Sequence, residues 1–187
     1  MLSARTYRAA LFCAIAAFGS HARAEEITIC YNYGCHAKAA VNYSGMDLEP
    51  LREQLAAAAN AQAERAAIAQ VIGRMYAIAG EQTPVWRDKG GNYADGGENG
   101  KMDCIDHSTN TTAFLRLLQA HGWLRFHAVL EPVLRRRFLF AEHRAALIRE
   151  RETQKDYVVD SWYVDNGRPA VVLPVEDWLA GATPNVE

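Results

Sequence analysis

Cys104 stands in Gly100-Lys101-Met102-Asp103-Cys104-Ile105-Asp106-His107, and its residue types suit nucleophilic chemistry. A cysteine that opens a helix meets unpaired backbone N–H groups and the positive end of the helix dipole, and both favour thiolate over thiol. Asp103 and Asp106 oppose that ionisation, so the thiol needs a basic partner. Beyond residue 24 the histidines are His36, His107, His121, His127 and His143. His107 follows Cys104 by three residues on the same helix, where side chains seldom aim at each other's reactive atoms, and it reads as a helix-surface residue. His143 opens a β-prone run, and a polar stretch at 150–155 separates that run from a second one at 157–164. A hairpin centred between Arg151 and Glu152 pairs Arg149 with Gln154 and sets His143 opposite Asp160. Opposed residues share a face, with Cβ atoms about 4.5–5.5 Å apart, which suits a carboxylate that orients an imidazole. A carboxylate inside such a run must be paired, solvated or functional, and Val158 and Trp162 on its face would shelter it.

The chemistry this implies is attack of the Cys104 thiolate on an amide carbonyl. His143 takes the proton, Asp160 orients and stabilises the imidazolium, and a thioester forms that water or an amine resolves. The backbone N–H of Cys104 faces the developing oxyanion; Asn99 and Asn110 are the candidates for a second donor. No cofactor is required.

Cysteine accounting points the same way. The chain of 187 residues opens with Arg5 and Arg8, an apolar run at 9–18, and Ala22-Arg23-Ala24. That is the order of a secretory signal peptide over residues 1–24, with an uncleaved anchor as the rival. The expectation is an exported protein, periplasmic or secreted, with no membrane attachment after cleavage. Cys13 leaves with the signal. Cys30 and Cys35, with Asn32 and Gly34 between them, are spaced for a disulfide in an oxidising compartment. Paired, they leave Cys104 as the odd thiol, either reactive or linked to another chain; a bridge from Cys104 to one of them is the structural rival.

Removing residues 1–24 leaves 17 basic against 22 acidic residues, a formal charge of −5. With no basic run interleaved with aromatics, nucleic acid is excluded as a partner. A protein or peptide substrate is expected, and the sequence does not set the oligomeric state. Half of the residues are apolar and 22% charged, a globular balance.

The elements that must position these groups divide into a helical N-terminal part, 25–82, and a catalytic core, 83–187, of a single domain. A short strand is expected at 27–31. Asp47 caps a helix with Leu48, Leu51 and Leu55 on one face. Asn60 caps a second, with Ile68, Val71, Ile72 and Met75 on its stripe and Gly80 near its end. Residues 83–101 are too glycine-rich for regular structure and deliver the chain to Cys104. A third helix runs from Cys104 to about Ala120 and stops at Gly122. Strands follow at 126–130, 138–140, 143–148, 157–164 and 171–173, with a helical turn from Val175. Helices first and antiparallel strands later give an α+β fold. Trp86, Trp123, Trp162 and Trp178 read as packing residues, with Trp162 also a candidate to line the cleft.

Over roughly residues 98–178 the chain resembles the bacterial transglutaminase-like cysteine proteinases of the papain-like superfamily. The resemblance lies in the Asp-Cys-x-Asp element, in the order Cys, His, Asp, and in spacings of 39 and 17 residues. More closely, Gly100 to Asp106, Ser108-Thr109-Asn110-Thr111 and Val159-Asp160-Ser161-Trp162-Tyr163 look like an uncharacterised group of exported proteobacterial proteins. The resemblance implies a transglutaminase-like core of N-terminal helices on a C-terminal antiparallel sheet. It implies a cysteine peptidase or acyl transferase with Cys104, His143 and Asp160 as its triad. Members that release surface adhesins bind calcium beside the cysteine, which would give Asp103 and Asp106 a second role besides that of partners of the helix start; Ile105 stands where a further acid would help. The rival readings are a cell-wall peptidase, an inactive binding module of the same fold, and a disulfide-stabilised structural protein.

Overall fold

The structure, a computed structural model, describes residues 24–91, 94–137 and 141–184. The leader read at residues 1–24, all but Ala24, and the apolar run 138–140 lie outside these residues.

The part read as helical opens with a hairpin, β1 (Glu25–Tyr31) and β2 (Ala37–Tyr43), paired antiparallel with Ile27 opposite Val41. Ile27, Ile29, Val41 and Tyr43 of this pair are buried. Its turn is unusual. Asn32, Tyr33, Gly34 and Cys35 have φ of 65, 57, 60 and 60°, four successive residues in the left-handed region. Each one with a side chain costs roughly 1–2 kcal/mol, and the Cys30–Cys35 disulfide closes over the turn.

Helix α1 (Gly45–Ala56) is capped by Ser44; Asp47 is its reciprocal partner in a capping box and not the cap itself. Leu48, Leu51 and Leu55 are buried on its inner face. Helix α2 (Ala61–Gln82) starts at the cap Asn60, whose side chain accepts the N–H of Ala63, and buries Ile68, Val71, Ile72 and Met75. It runs two residues past Gly80. A 3₁₀ turn (Pro84–Arg87) interrupts the glycine-rich loop. Helix α3 (Cys104–Ala120) has Asp103 and Asp106 as a capping box at its start and Gly122, φ 71°, just past its end.

The second sheet is antiparallel throughout in the order β3 (His127–Arg137), β4 (Ala141–Glu150), β5 (Asp156–Asp160), β6 (Val171–Pro174). β3 is longer than expected and passes through Pro132 at a register shift between Leu130 and Val133, which an edge strand tolerates because no ladder needs that missing N–H. β5 ends at Asp160, short of residue 164: the N–H of Trp162 turns back onto Asp160 Oδ1 at 3.2 Å. Helix α4 (Val175–Ala180) follows β6 directly. The result is an α+β arrangement with two antiparallel sheets, α3 packing against β1, β3 and β4. The main core lies between them, with Phe114, Leu115 and Leu118 of α3 fully buried. Among the described residues no helix is long and apolar enough to cross a membrane.

Candidate functional site

Cys104 is the first residue of α3, a half-buried free thiol. It packs against a small apolar cluster built by Ala145, Val158, Trp162, Tyr163 and Trp178. What places it there is the helix start. Asp103 Oδ1 accepts the N–H groups of Ile105 and Asp106 at 3.0 and 2.9 Å, so the cap does not use the N–H of Cys104. The other carboxylate oxygens reach the disulfide turn. Gly34 N donates to Asp103 Oδ2 at 2.9 Å and Cys35 N to Asp106 Oδ1 at 2.6 Å. The left-handed turn therefore presents successive N–H groups to the two acids that flank the thiol. Burial, and then the charge of Asp103, raise Asp106 from 3.8 to about 6 against these hydrogen bonds.

His143 and Asp160 meet as expected, in a different register. The β4–β5 ladder pairs Arg149 with Asp156 and Ala146 with Val159, so the hairpin centre lies between Glu152 and Thr153, one residue later than read. Moving the centre by one residue shifts the pairing by two, and a shift of two preserves the face on which each side chain lies. His143 is thus a diagonal neighbour of Asp160 on the same face, and its Nε2 lies 2.8 Å from Asp160 Oδ2. Both are buried, at 4% and 1% exposure. The same Oδ2 accepts the indole N–H of Trp178 at 3.0 Å, a donor the sequence reading assigned only to packing. Trp162 covers the ring edge-on at 4.8 Å between centroids.

The other ring nitrogen, His143 Nδ1, is buried and has no partner at bonding distance and angle among the described residues. The Cys104 side chain is nonetheless near enough to act on the protonation of the ring. Burial works against a charged ring, but the Asp160 hydrogen bond, the Cys104 side chain and their charges outweigh it and raise His143 from 6.5 to about 9.

Among the described residues two further histidine–carboxylate pairs are buried. His127 Nδ1 bonds Glu64 Oε2 at 2.7 Å, and Glu64 also accepts the N–H groups of Arg125 and Phe126; that pair joins α2 to the start of β3. His107, expected on the helix surface, is 3% exposed. Its Nε2 meets Asp88 Oδ2 at 2.9 Å and its Nδ1 meets Ser161 Oγ at 2.8 Å. The residue types match a serine triad, but Ser161 is 4% exposed, and its Oγ is enclosed by Thr111 Oγ1 at 2.9 Å and the Tyr76 hydroxyl at 3.3 Å. This network locks α2, α3 and the segment after β5 together, next to Asp160. Sequence gave little signal for it, because Asp88 comes from the glycine-rich loop.

No known family model, curated protein or solved structure matches this chain.

Of the two asparagines offered as oxyanion donors, Asn110 is already engaged. Asn110 is fully buried and spans both backbone groups of Cys30, accepting its N–H at 2.7 Å and donating to its carbonyl at 2.8 Å. Asn99 is exposed and accepts from Asn32 Nδ2 at 3.2 Å. Among groups that could hold a cation, Cys30, Cys35 and Asp106 lie within 4.8 Å of one another, but the two sulfurs are joined as a disulfide.

Proposed function

We propose that the protein is an exported cysteine hydrolase that cleaves, or transfers the acyl group of, an amide bond in a protein or peptide. One observation carries this reading: the free thiol of Cys104 at a helix start stands beside a buried His143 that Asp160 holds in place. His143 Nε2 faces the carboxylate, so Nδ1 is the nitrogen left for the thiol proton. Asp160 carries the counter-charge for the imidazolium. Thiolate attack on the carbonyl gives a tetrahedral oxyanion, to which the N–H of Cys104 is the nearest helix donor the cap does not use. Collapse expels the amine, which takes its proton from His143, and leaves a thioester on Cys104. Water, deprotonated by His143, then releases the acid; an amine in its place gives transfer. The order of the three residues, their spacing and the α+β arrangement support a transglutaminase-like core. The disulfide supports an oxidising compartment.

The test uses the chain from residue 25 onward with an unfolded protein and with purified cell-wall stem peptides, products being read by mass spectrometry. Cleavage in either and its complete loss in Cys104→Ala are expected, with a hydroxylamine-sensitive acyl adduct on Cys104. Undiminished turnover by Cys104→Ala overturns the proposal. Cleavage of stem peptides alone assigns the cell-wall peptidase.

A further inference from the structure

We propose that Arg135 is a positioning residue for the Cys104–His143–Asp160 group: it anchors the C-terminal end of α4 so that the Trp178 indole stays on Asp160. This rests on the triad reading above and extends it.

Arg135 lies directly opposite His143 in the β3–β4 ladder, so the two side chains share a face. It is 8% exposed, and among the described residues no carboxylate pairs with it. A buried guanidinium without a counter-charge is costly, so the groups it does meet are informative. Nη1 donates to the carbonyls of Trp178 at 2.6 Å and Ala182 at 3.4 Å, at the end of α4, where the Trp178 carbonyl also accepts the Gly181 N–H at 3.0 Å. Nη2 donates to the Tyr163 hydroxyl at 2.6 Å. The guanidinium carbon lies 4.4 Å from the centre of the Trp178 ring.

Helix α4 cannot hold that indole in place by itself. It has six residues, starts at Pro174 without a side-chain cap and has no basic residue in its last turn; so short a helix has no stability of its own. Arg135 adds a tie from β3, across the face of the sheet. The path is short: Arg135 to the Trp178 carbonyl and ring, Trp178 Nε1 to Asp160 Oδ2 at 3.0 Å, and the same oxygen to His143 at 2.8 Å. Tyr163 closes the arrangement, with its ring 5.6 Å from His143 and its hydroxyl on Arg135. The ionisable groups facing His143 are therefore Cys104 from α3, Asp160 and Tyr163 from β5 and beyond, and Arg135 from β3.

Alkylation of Cys104 by iodoacetamide, followed by mass spectrometry from about pH 6 to pH 10, reads this without a substrate. Arg135→Met and Trp178→Phe should each slow labelling about tenfold at the acid end, the scale of one lost hydrogen bond to a charged group. Both should approach the parent rate at the alkaline end, where the thiolate no longer depends on His143. The double variant should be no slower than either single one, because both act through one path, and Arg135→Lys should recover part of the loss. Unchanged profiles in both single variants, equal slowing at every pH, or additive losses overturn the proposal. Should Arg135→Met fail to fold by circular dichroism, Arg135→Lys, which keeps the charge but only part of the hydrogen bonds, is read in its place, and a profile identical to the parent's overturns the proposal. A parent profile that already ignores His143→Ala removes the triad reading, and this proposal with it. A His143-dependent profile indifferent to Arg135 and Trp178 removes only this one.

Discussion

Replacing Asp160 by Asn removes one charge and almost no volume, and three hydrogen bonds determine the consequence. Oδ2 accepts from both His143 and Trp178, so the asparagine must keep its carbonyl oxygen there. Its NH₂ then faces the N–H of Trp162, which Oδ1 accepts in the parent protein. Donor meets donor, at a cost of about 1–3 kcal/mol. The larger effect is on His143. Burial disfavours its charged form, and with the Asp160 charge gone that burial is opposed only by Cys104. The ring should fall from about 9 towards or below 6.5. A change of that size is on the order of 3 kcal/mol, about three hundredfold in the ratio of imidazolium to imidazole. Because folding raises this pKa, its stabilising contribution is whole below about 6.5 and is lost as pH rises through about 9. The unfolding free energies of parent and variant should therefore differ most near pH 6, and towards pH 10 the gap should shrink to the pH-independent donor–donor cost of about 1–3 kcal/mol. Histidine titration by NMR and urea melts at both pH values measure the two effects. If His143 titrates in Asp160→Asn where it does in the parent, or the stability gap stays constant with pH, the electrostatic coupling inferred here is wrong.

Other outcomes follow from the elements around the site. Replacing Cys30 and Cys35 together by serine removes a crosslink over a five-residue separation and should cost about 2 kcal/mol in denaturant unfolding. Cys104 labelling should also slow, because the turn that offers Gly34 and Cys35 N–H groups to Asp103 and Asp106 is released. Ser161→Ala strips His107 of a partner inside a buried network and should cost about 1–3 kcal/mol of stability, while Cys104 still labels; covalent capture of Ser161 by a fluorophosphonate would instead make it a nucleophile. Gly100→Ala should lower Tm sharply: φ there is 94°, and a Cβ would lie 2.2 Å from the Pro84 carbonyl oxygen.

How far the sequence reached depended on whether the determining contact was local. Asp103, Asp106 and Gly122 delimit α3 within its own segment, and the helix begins and ends where they put it. Leu48, Leu51 and Leu55, and Asn60 with the stripe behind it, were legible for the same reason. So was the common face of His143 and Asp160, since an error of two in register leaves faces unchanged. Strand β2 was not legible. Ala37-Lys38-Ala39-Ala40 has little β propensity, and its pairing with β1 makes it a strand. His107 was misplaced because its partners, Asp88 and Ser161, come from a distant loop and a distant strand end. The donor role of Trp178 depends on where a six-residue helix docks, and no local pattern encodes that. Ser44 and Asp47 are both good cap residues, and only the backbone geometry tells cap from partner.

The proposed function requires Cys104 and His143 to act as a nucleophile and its base. Its most direct test is the rate of Cys104 alkylation against pH in the parent chain and in His143→Ala. Cys104 should label rapidly at roughly pH 6.5 in the parent and slow at least tenfold there in His143→Ala, with the two rates converging in alkali, where an unassisted thiol of pKa about 8.5 is already ionised. Superimposable profiles would contradict it.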